Sequence, residues 1–205
     1  MSELKLYGIA NSRAFRSVWA VEEMGLDYEH VGTTFSEDSK TEEYLDVNPN
    51  GRIPALVDGD LKLFESMAIN MYLGETYATH LLPQDAKGRA RTWQWSIWGI
   101  SEIEPLQMQI VVEKFFTPED RKNPKVVTRA ERGLARPLKV LDGVLSSQSY
   151  LLGDEFTLAD LNLAGVMDLF NMIRLDISEW QHVKRWLDAC YARPSYASAK
   201  AVGGS

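Results

Sequence analysis

The sequence predicts an α/β domain with the element order β-α-β-α-β-β-α, followed by an all-α domain. Short alternating apolar runs are confined to the first eighty residues, where stretches of helical spacing lie between them. Beyond residues 81–85 only helical spacing remains. Strands and helices in this order form a small mixed sheet with helices packed on it. We therefore expect an α/β domain over residues 1–80, a linker over 81–87 and an all-helical domain over 88–205.

The chain opens with a predicted βαβ unit. Its three patterns are an alternating strand over residues 5–7, helical spacing over 15–24 and a strand-like stretch over 27–33. Gly25 provides the left-handed stop of the helix. On that helix Glu22 and Glu23 are predicted to face solvent.

The rest of the first domain is predicted from turn and helix signals. Residues 36–50 are polar and loop-rich, with a short helical piece over 42–46. Two apolar runs flank Asp58 and Gly59, a dipeptide that strongly indicates a hairpin. Ser66 then opens a helix with its apolar residues on one face.

The second domain shows helical spacing throughout. Helices are predicted around residues 93–102, 134–145, 158–170 and 183–191, the last being the final helix of the chain. In the first of them the apolar residues mark two faces, beginning with Trp93 and Trp95, so we expect it to be covered on two sides. Pro137 is expected at a first turn or a kink.

Composition limits the kinds of function. The chain has 205 residues, of which 45% are hydrophobic and 25% charged, as in ordinary globular proteins. The net charge of −7 opposes nonspecific binding to nucleic acid, and no apolar run is long enough to cross a membrane. The single cysteine, Cys190, excludes an intrachain disulfide framework and a cysteine-based zinc site, and no metal is predicted. The opening residues lack a signal region, which indicates the cytoplasm.

Ser12 lies where the first helix is predicted to begin. Serine is a common N-cap residue whatever the function, and capping alone would account for it. A helix N-terminus also stabilises an anion, and a thiolate is such an anion. Because Cys190 lies in the last predicted helix, a thiol at Ser12 would have to belong to a ligand.

Residues 48–54 form a second candidate site, in which Asn-Pro and Asn-Gly bend the chain before a strand. A plain turn would explain this pattern. If the bond between Ile53 and Pro54 is cis, however, the N–H and carbonyl of Ile53 are free to pair with a peptide-like ligand.

Glu65 and Ser66 form the third candidate site, at the junction of a strand and a helix. Ser66 is again a default N-cap, yet that helix end can bind a ligand carboxylate while Glu65 meets an ammonium group. Lys40 and Arg52 are then candidates for a second carboxylate, although either alone fits a solvated surface charge.

Together these residues resemble the glutathione transferase family over nearly the whole chain. The motifs are Leu-Tyr-Gly with Ser12 and Arg16, Trp19 with Glu-Glu-Met-Gly-Leu, Asn-Pro-Asn-Gly-Arg-Ile-Pro, Phe-Glu-Ser-Met-Ala-Ile, and Leu-Leu-Gly-Asp-Glu-Phe-Thr-Leu-Ala-Asp. Each motif alone is weak, but their order is specific. The resemblance implies a thioredoxin-like first domain that holds glutathione, and a helical second domain that supplies much of the pocket for an electrophile.

The resemblance also implies roles for the candidate residues. Pro54 is the cis proline, and the Ile53 backbone pairs with the cysteinyl part of glutathione. Ser12 donates a hydrogen bond to the sulfur. The remaining glutathione contacts are implied for Glu65 and Ser66 at the γ-glutamyl end and for Lys40 and Arg52 at the glycine carboxylate.

The residues around Ser12 bear on the branch of the family. The spacing of Tyr7, Ser12 and Arg16 resembles the serine-type branches, so Tyr7 is expected to face the core. Serine-type members often have a proline shortly after the serine, whereas this chain has Arg13 and Ala14. Asn11 or Arg13 therefore stays an alternative donor to the sulfur.

The resemblance implies a homodimeric, cytoplasmic detoxification enzyme that conjugates the thiolate of glutathione to electrophilic, largely apolar small molecules. The alternatives are a glutathione-dependent peroxidase, isomerase or dehalogenase on the same fold, or a noncatalytic binding protein. An exposed face of the helix from Trp93 to Met108 is the expected place for packing of the second subunit.

Overall fold

The computed structural model describes residues 3–202. Its internal contacts divide the chain into two compact units. The first comprises Met1–Asp85 together with Tyr191–Ser205, and the second comprises Ala86–Cys190.

The first unit is built on a four-stranded mixed sheet with the order β2-β1-β3-β4. The strands are β1 (Leu4–Tyr7), β2 (Glu29–Val31), β3 (Ala55–Asp58) and β4 (Leu61–Phe64). β1 pairs parallel with β2 and antiparallel with β3, and β3 pairs antiparallel with β4. The helices of the predicted order are α1 (Phe15–Met24), α2 (Glu42–Val47) and α3 (Ser66–Thr76). The predicted thioredoxin-like domain is thus confirmed.

Local sequence signals set the ends of these elements. Gly25 caps α1 in the left-handed conformation with φ 63°. Gly59 adopts φ 59° in the turn between β3 and β4, as the Asp-Gly signal predicts. The core of this unit lies between the sheet and the helices, where Leu6, Leu56 and Trp19 are fully buried.

The second unit is helical, as predicted. Its helices are α4 (Ala86–Trp98), α5 (Glu104–Val111), α6 (Pro124–Leu145), α7 (Leu158–Met167), α8 (Leu169–Ile173) and α9 (Gln181–Tyr191). π-helical turns over Gly99–Ile103 and Val112–Phe116 flank α5. Every residue of α7 is buried, and Cys190 on α9 is fully buried as well.

Two expectations for the second unit were wrong, and a third was narrowed. The face of α4 that carries Trp93 and Ile97 is exposed, with 38% and 52% of these residues accessible, so α4 is covered on one side only. Pro137 lies inside α6, which excludes the first turn, and a kink at this residue stays a prediction. The predicted helix over 158–170 is two helices, because α7 ends at Met167 and α8 begins at Leu169.

A tenth helix, α10 (Pro194–Ala201), was missed because its small and polar residues show no apolar period. It packs against α1 in the first unit. Glu23 was also predicted wrongly, since its carboxylate is largely buried against Arg193 rather than facing solvent.

Among residues 3–202, no helix combines the length and apolar character that a membrane span requires.

Candidate functional site

The candidate residues gather at one edge of the sheet. Tyr7 pairs with Ala55, and Ala55 pairs with Phe64, so the ends of β1, β3 and β4 meet there. The chain beyond these ends contains Gly8, Pro54 and Glu65. Topology therefore brings the three stretches of the sequence with candidate residues to a common edge.

Gly8 links the first two stretches through its close packing. Its φ is 136°, and a Cβ at Gly8 would lie 2.4 Å from the Cβ of Ala14 and 3.4 Å from that of Ile53. The Gly8 N–H donates to the Val31 carbonyl at 3.0 Å. A residue with a side chain would push the start of α1 away from Ile53, so glycine allows both to sit against the end of β1.

Ser12 lies in the turn that precedes α1 and is half-buried. Its Oγ donates to the Ile9 carbonyl at 2.7 Å and accepts the Ala14 N–H at 3.0 Å. The Phe15 N–H donates to the Ser12 carbonyl at 3.1 Å. The N-cap position of α1 is Ala14, so the expectation that Ser12 caps this helix was wrong by two residues. The turn instead holds the hydroxyl just ahead of the helix.

Tyr7, the other hydroxyl near this turn, packs into a small apolar cluster. Its ring meets that of Tyr44 edge to face with 5.7 Å between the centroids. The cluster also contains Ile53 and Ala55. Tyr7 thus faces the core, as predicted.

The bond between Ile53 and Pro54 is cis. The Ile53 side chain belongs to the apolar cluster and only 9% of the residue is exposed. Neither its N–H nor its carbonyl makes a hydrogen bond to any residue within the described range 3–202. These two groups are available to a ligand backbone.

The peptide that precedes Ile53 is held by two side chains. The Arg52 carbonyl accepts the Tyr44 hydroxyl and the Asn48 Nδ2, each at 2.6 Å. Asn48 Oδ1 accepts the Asn50 N–H at 3.0 Å, and Asn48 is only 1% exposed. Burial raises the pKa of Tyr44 to about 12, so its hydroxyl keeps the proton it donates. The sequence indicated only a turn here, although an asparagine before proline was the available signal.

Lys40 and Arg52 are brought near one another by the same loop. Lys40 ends a 3₁₀ turn over Asp38–Lys40, and its Nζ donates to the Gly51 carbonyl, one residue before Arg52. Gly51 has φ 56°, and a Cβ there would lie 2.9 Å from both Lys40 Nζ and the Ser39 carbonyl oxygen. Both cationic side chains are exposed. Two cations at one place can bind a carboxylate.

Glu65 and Ser66 stand at the start of α3. Glu65 has φ 72° and ψ 111°, a conformation that costs a non-glycine residue on the order of 1–3 kcal/mol. Its side chain is exposed, while Ser66 is buried as the first residue of the helix. Glu65 rather than Ser66 is therefore the N-cap residue. The helix start supplies backbone N–H donors for an anion, and the Glu65 carboxylate can meet an ammonium group.

The edge thus offers a hydroxyl, an unpaired backbone pair, two cations and a helix start beside a carboxylate. This set matches an extended peptide that carries two carboxylates, an ammonium group and a reactive side chain near Ser12. No group of three or more His, Cys, Asp or Glu side chains that could hold a metal ion occurs in the part of the chain that the structure describes.

Comparison with known proteins assigns both units to one protein family. The family model described as glutathione S-transferase, N-terminal domain, matches residues 2–75, and the corresponding C-terminal domain model matches residues 103–194. Glutathione S-transferase 3 of Zea mays is 36% identical over 98% of this chain and 95% of its own length.

Two solved structures are similar over nearly their full lengths. A glutathione transferase of Burkholderia graminis, with two glutathione molecules bound per subunit, matches with a TM-score of 0.91 and 29% identity over 99% of this chain and 89% of that one. A glutathione transferase of Phanerochaete chrysosporium in complex with oxidised glutathione matches with a TM-score of 0.86 and 29% identity, over 97% and 94% of the two chains.

Proposed function

The chain belongs to the glutathione S-transferase family, and on that premise we propose that it conjugates the thiolate of glutathione to electrophilic, largely apolar small molecules. Glutathione is the co-substrate. The observation that carries the proposal is the common edge of the sheet, where the Ser12 hydroxyl, the unpaired Ile53 backbone and the start of α3 meet. The electrophile class comes from the family resemblance and is the part that substrate profiling tests.

Each proposed contact matches one part of the tripeptide. The Ile53 N–H and carbonyl pair with the cysteinyl backbone, because they have no other partner in the described chain. The γ-glutamyl carboxylate binds at the start of α3 beside Ser66, and Glu65 accepts its ammonium group. Lys40 and Arg52 neutralise the glycine carboxylate.

Ser12 acts on the sulfur. In the structure its single proton goes to the Ile9 carbonyl, and rotation about the Cβ–Oγ bond redirects it to a bound sulfur. A hydrogen bond to the charged form favours the thiolate, which lowers the thiol pKa from its ordinary value of about 8.5. The thiol proton leaves to solvent. The thiolate then forms an S–C bond to the electrophile, and a leaving group, where there is one, departs with its electron pair.

The replacement Ser12→Ala tests this role. Turnover at neutral pH should fall on the order of tenfold, the value of one pKa unit, because the thiolate loses its donor. Glutathione affinity should change much less, since the other contacts remain. Steady-state kinetics over pH and calorimetric titration measure the two effects.

Tyr7→Phe is the matched control, because it removes a nearby hydroxyl that faces the core, and it should leave turnover and affinity unchanged. If Ser12→Ala keeps full turnover, the role passes to Asn11 or Arg13. If the wild-type protein does not bind glutathione, the noncatalytic alternative takes its place.

We also propose that the protein is a cytoplasmic homodimer. The exposed apolar face of α4, with Trp93 and Ile97, supports a subunit contact there. Burial of such a face against a second copy would remove apolar surface from water.

A second candidate reaction is thiol–disulfide exchange, which the oxidised glutathione bound by the Phanerochaete chrysosporium relative favours. Here the bound thiolate attacks one sulfur of a disulfide, forms a new S–S bond and releases the other sulfur as a thiolate. A panel of alkyl halides, peroxides, isomerisable substrates and mixed disulfides distinguishes this reaction, and the peroxidase, isomerase and dehalogenase alternatives, from conjugation.

A further inference from the structure

Helix α10 is fastened to the carboxyl end of α1 by a polar network. Arg193 Nε donates to Glu23 Oε2 at 2.9 Å, and a second guanidinium nitrogen bonds the other oxygen of the same carboxylate. The Ser195 hydroxyl also donates to Glu23, and it accepts the Trp19 Nε1–H at 3.0 Å. A bidentate ion pair with a largely buried carboxylate fixes orientation as well as distance.

Aromatic and cation–π contacts along α10 hold it against Phe15 and Trp19 of α1. The Tyr196 ring meets Phe15 edge to face at 5.5 Å and Trp19 at 5.2 Å between centroids. Lys200 Nζ lies 4.0 Å from the centre of the Phe15 ring, a cation–π contact. Because residues 193 and 195 meet Glu23 while Lys200 meets Phe15, the two helices run antiparallel.

Phe15 connects this packing to the Ser12 turn. Its N–H donates to the Ser12 carbonyl at 3.1 Å, and the N–H of the preceding Ala14 donates to Ser12 Oγ at 3.0 Å. The residue whose ring is held by Tyr196 and Lys200 therefore holds Ser12 through its backbone. A single residue, Phe15, thus connects α10 to the residue whose hydroxyl is proposed to act on the sulfur.

We propose that α10 positions the sulfur site: Tyr196 and Lys200 hold Phe15, and through Phe15 they keep the Ser12 hydroxyl where it can donate to the bound thiol. Neither side chain is proposed to touch glutathione, so both are positioning residues. This inference rests on the proposed function of Ser12. Small displacements of a donor matter because a hydrogen bond weakens steeply with distance and angle.

The test uses the full chain with Lys200→Met and Tyr196→Leu, each with glutathione bound. The thiol pKa of bound glutathione, followed by thiolate absorbance over pH, should rise toward the free value. Turnover at neutral pH should fall roughly threefold, about half a pKa unit, with little change in the KM for glutathione. Lys200→Arg keeps a cation over the ring and should restore both values.

A stability-matched control separates positioning from folding. Leu141→Val removes one buried methylene group from α6 in the other unit and should lower the melting temperature without moving the thiol pKa. If Tyr196→Leu does not fold, Lys200→Met decides, because Lys200 is exposed.

An unchanged thiol pKa in a folded Lys200→Met variant, beside a wild type that lowers it, overturns the role of α10 and leaves the proposed function intact. A wild type that does not lower the thiol pKa overturns both. A raised pKa with rescue by arginine supports the positioning role.

Discussion

Asn48 shows how a single side chain shapes the peptide-binding edge. Its side-chain amide donates to the Arg52 carbonyl and accepts the Asn50 N–H. Its backbone carbonyl accepts the Gly51 N–H at 2.9 Å. The loop that presents the Ile53 backbone is thus closed around one buried residue. Asn48 does not touch the ligand in our proposal, but it sets the direction in which Ile53 faces.

The replacement Asn48→Ala should weaken glutathione binding roughly tenfold, because the Asn50 N–H loses its acceptor, the Arg52 carbonyl loses one of its two donors and the loop relaxes. Asn48→Asp keeps the acceptor for the Asn50 N–H but loses the donor to Arg52, so it should show much of the same loss. Calorimetric titration with glutathione measures both variants. Affinity equal to that of the wild type in Asn48→Ala would contradict the role of this loop.

Tyr44, the other donor to Arg52, gives a prediction for alkaline pH. Its folded-state pKa of about 12 lies above the ordinary value of 10.0. A group whose pKa is raised by folding contributes stability that is complete below the ordinary value and is lost as pH rises through the folded value. Urea unfolding between these two pH values should therefore show a smaller loss of stability in Tyr44→Phe than in the wild type. If the free energy of unfolding falls equally with pH in the two proteins, the raised pKa of Tyr44 is contradicted.

Local chemistry made several residues predictable and left others hidden. Ser12 could be placed near a helix start because turns and helix starts have short-range signatures, and its role, like those of Lys40 and Arg52, stays a prediction. The contacts of Tyr44 and Asn48 with the Arg52 carbonyl were not predicted, because the Asn-Pro pattern indicated only a turn and Tyr44 had no local signal. Glu23 was placed wrongly since its partner, Arg193, comes from a helix at the far end of the sequence.

At the scale of elements, the start of α7 shows a capping box built into the core. Asp160 Oδ2 accepts the Thr157 N–H and hydroxyl, each at 2.9 Å. Its Oδ1 accepts the Leu151 N–H at 2.8 Å and the Trp186 Nε1–H at 2.9 Å. One carboxylate thus joins the helix start to the preceding loop and to α9.

Asp160→Asn should destabilise the second unit, because an amide NH₂ at the position of Oδ2 would face the N–H and hydroxyl of Thr157, which are both donors. An unsatisfied buried donor costs about 1–3 kcal/mol. Thr157→Ser keeps the hydroxyl and the backbone N–H and should cost much less. Urea unfolding of both variants checks this, and equal losses would show that the carboxylate is not the joining group.

Periodicity predicted most elements but not their joins. The apolar residues that predicted α1 and α6, among them Phe15, Trp19, Leu134 and Leu141, are buried, although α6 begins at Pro124, well before the predicted start at residue 134. The break between α7 and α8 was not predicted, because a single residue, Asp168, separates the two helices and no glycine or proline marks the end of α7. For Pro137 the sequence left a first turn and a kink open, because the pattern showed only the second half of α6 and not where the helix begins.

At the scale of the whole molecule, the proposed homodimer gives a test of the exposed face on α4. Sedimentation should show twice the chain mass in the wild type. Trp93→Glu and Ile97→Glu should shift the protein toward monomer, since a charge placed in an apolar contact is costly. Met172→Glu alters another exposed apolar residue, on α8, and should leave the assembly unchanged. A monomeric wild type would remove the proposal.

The overall class of the molecule was readable because strand-forming and helix-forming stretches are segregated along the chain. The packing of residues 191–202 in the first unit was not predicted, because it depends on aromatic rings and one ion pair whose partners lie far apart in sequence. Long-range packing of this kind gives no apolar periodicity in the sequence of α10 itself.

The burial of Cys190 has a consequence for durability. Because its single cysteine, on α9, is fully buried, the polypeptide contributes no sulfur to the reaction that we propose. An oxidant or alkylating agent that enters the site reacts with the sulfur of bound glutathione. The modified tripeptide then dissociates, and a new molecule binds from solution. The catalyst is thereby spared the self-inactivation that a nucleophilic cysteine of its own would invite.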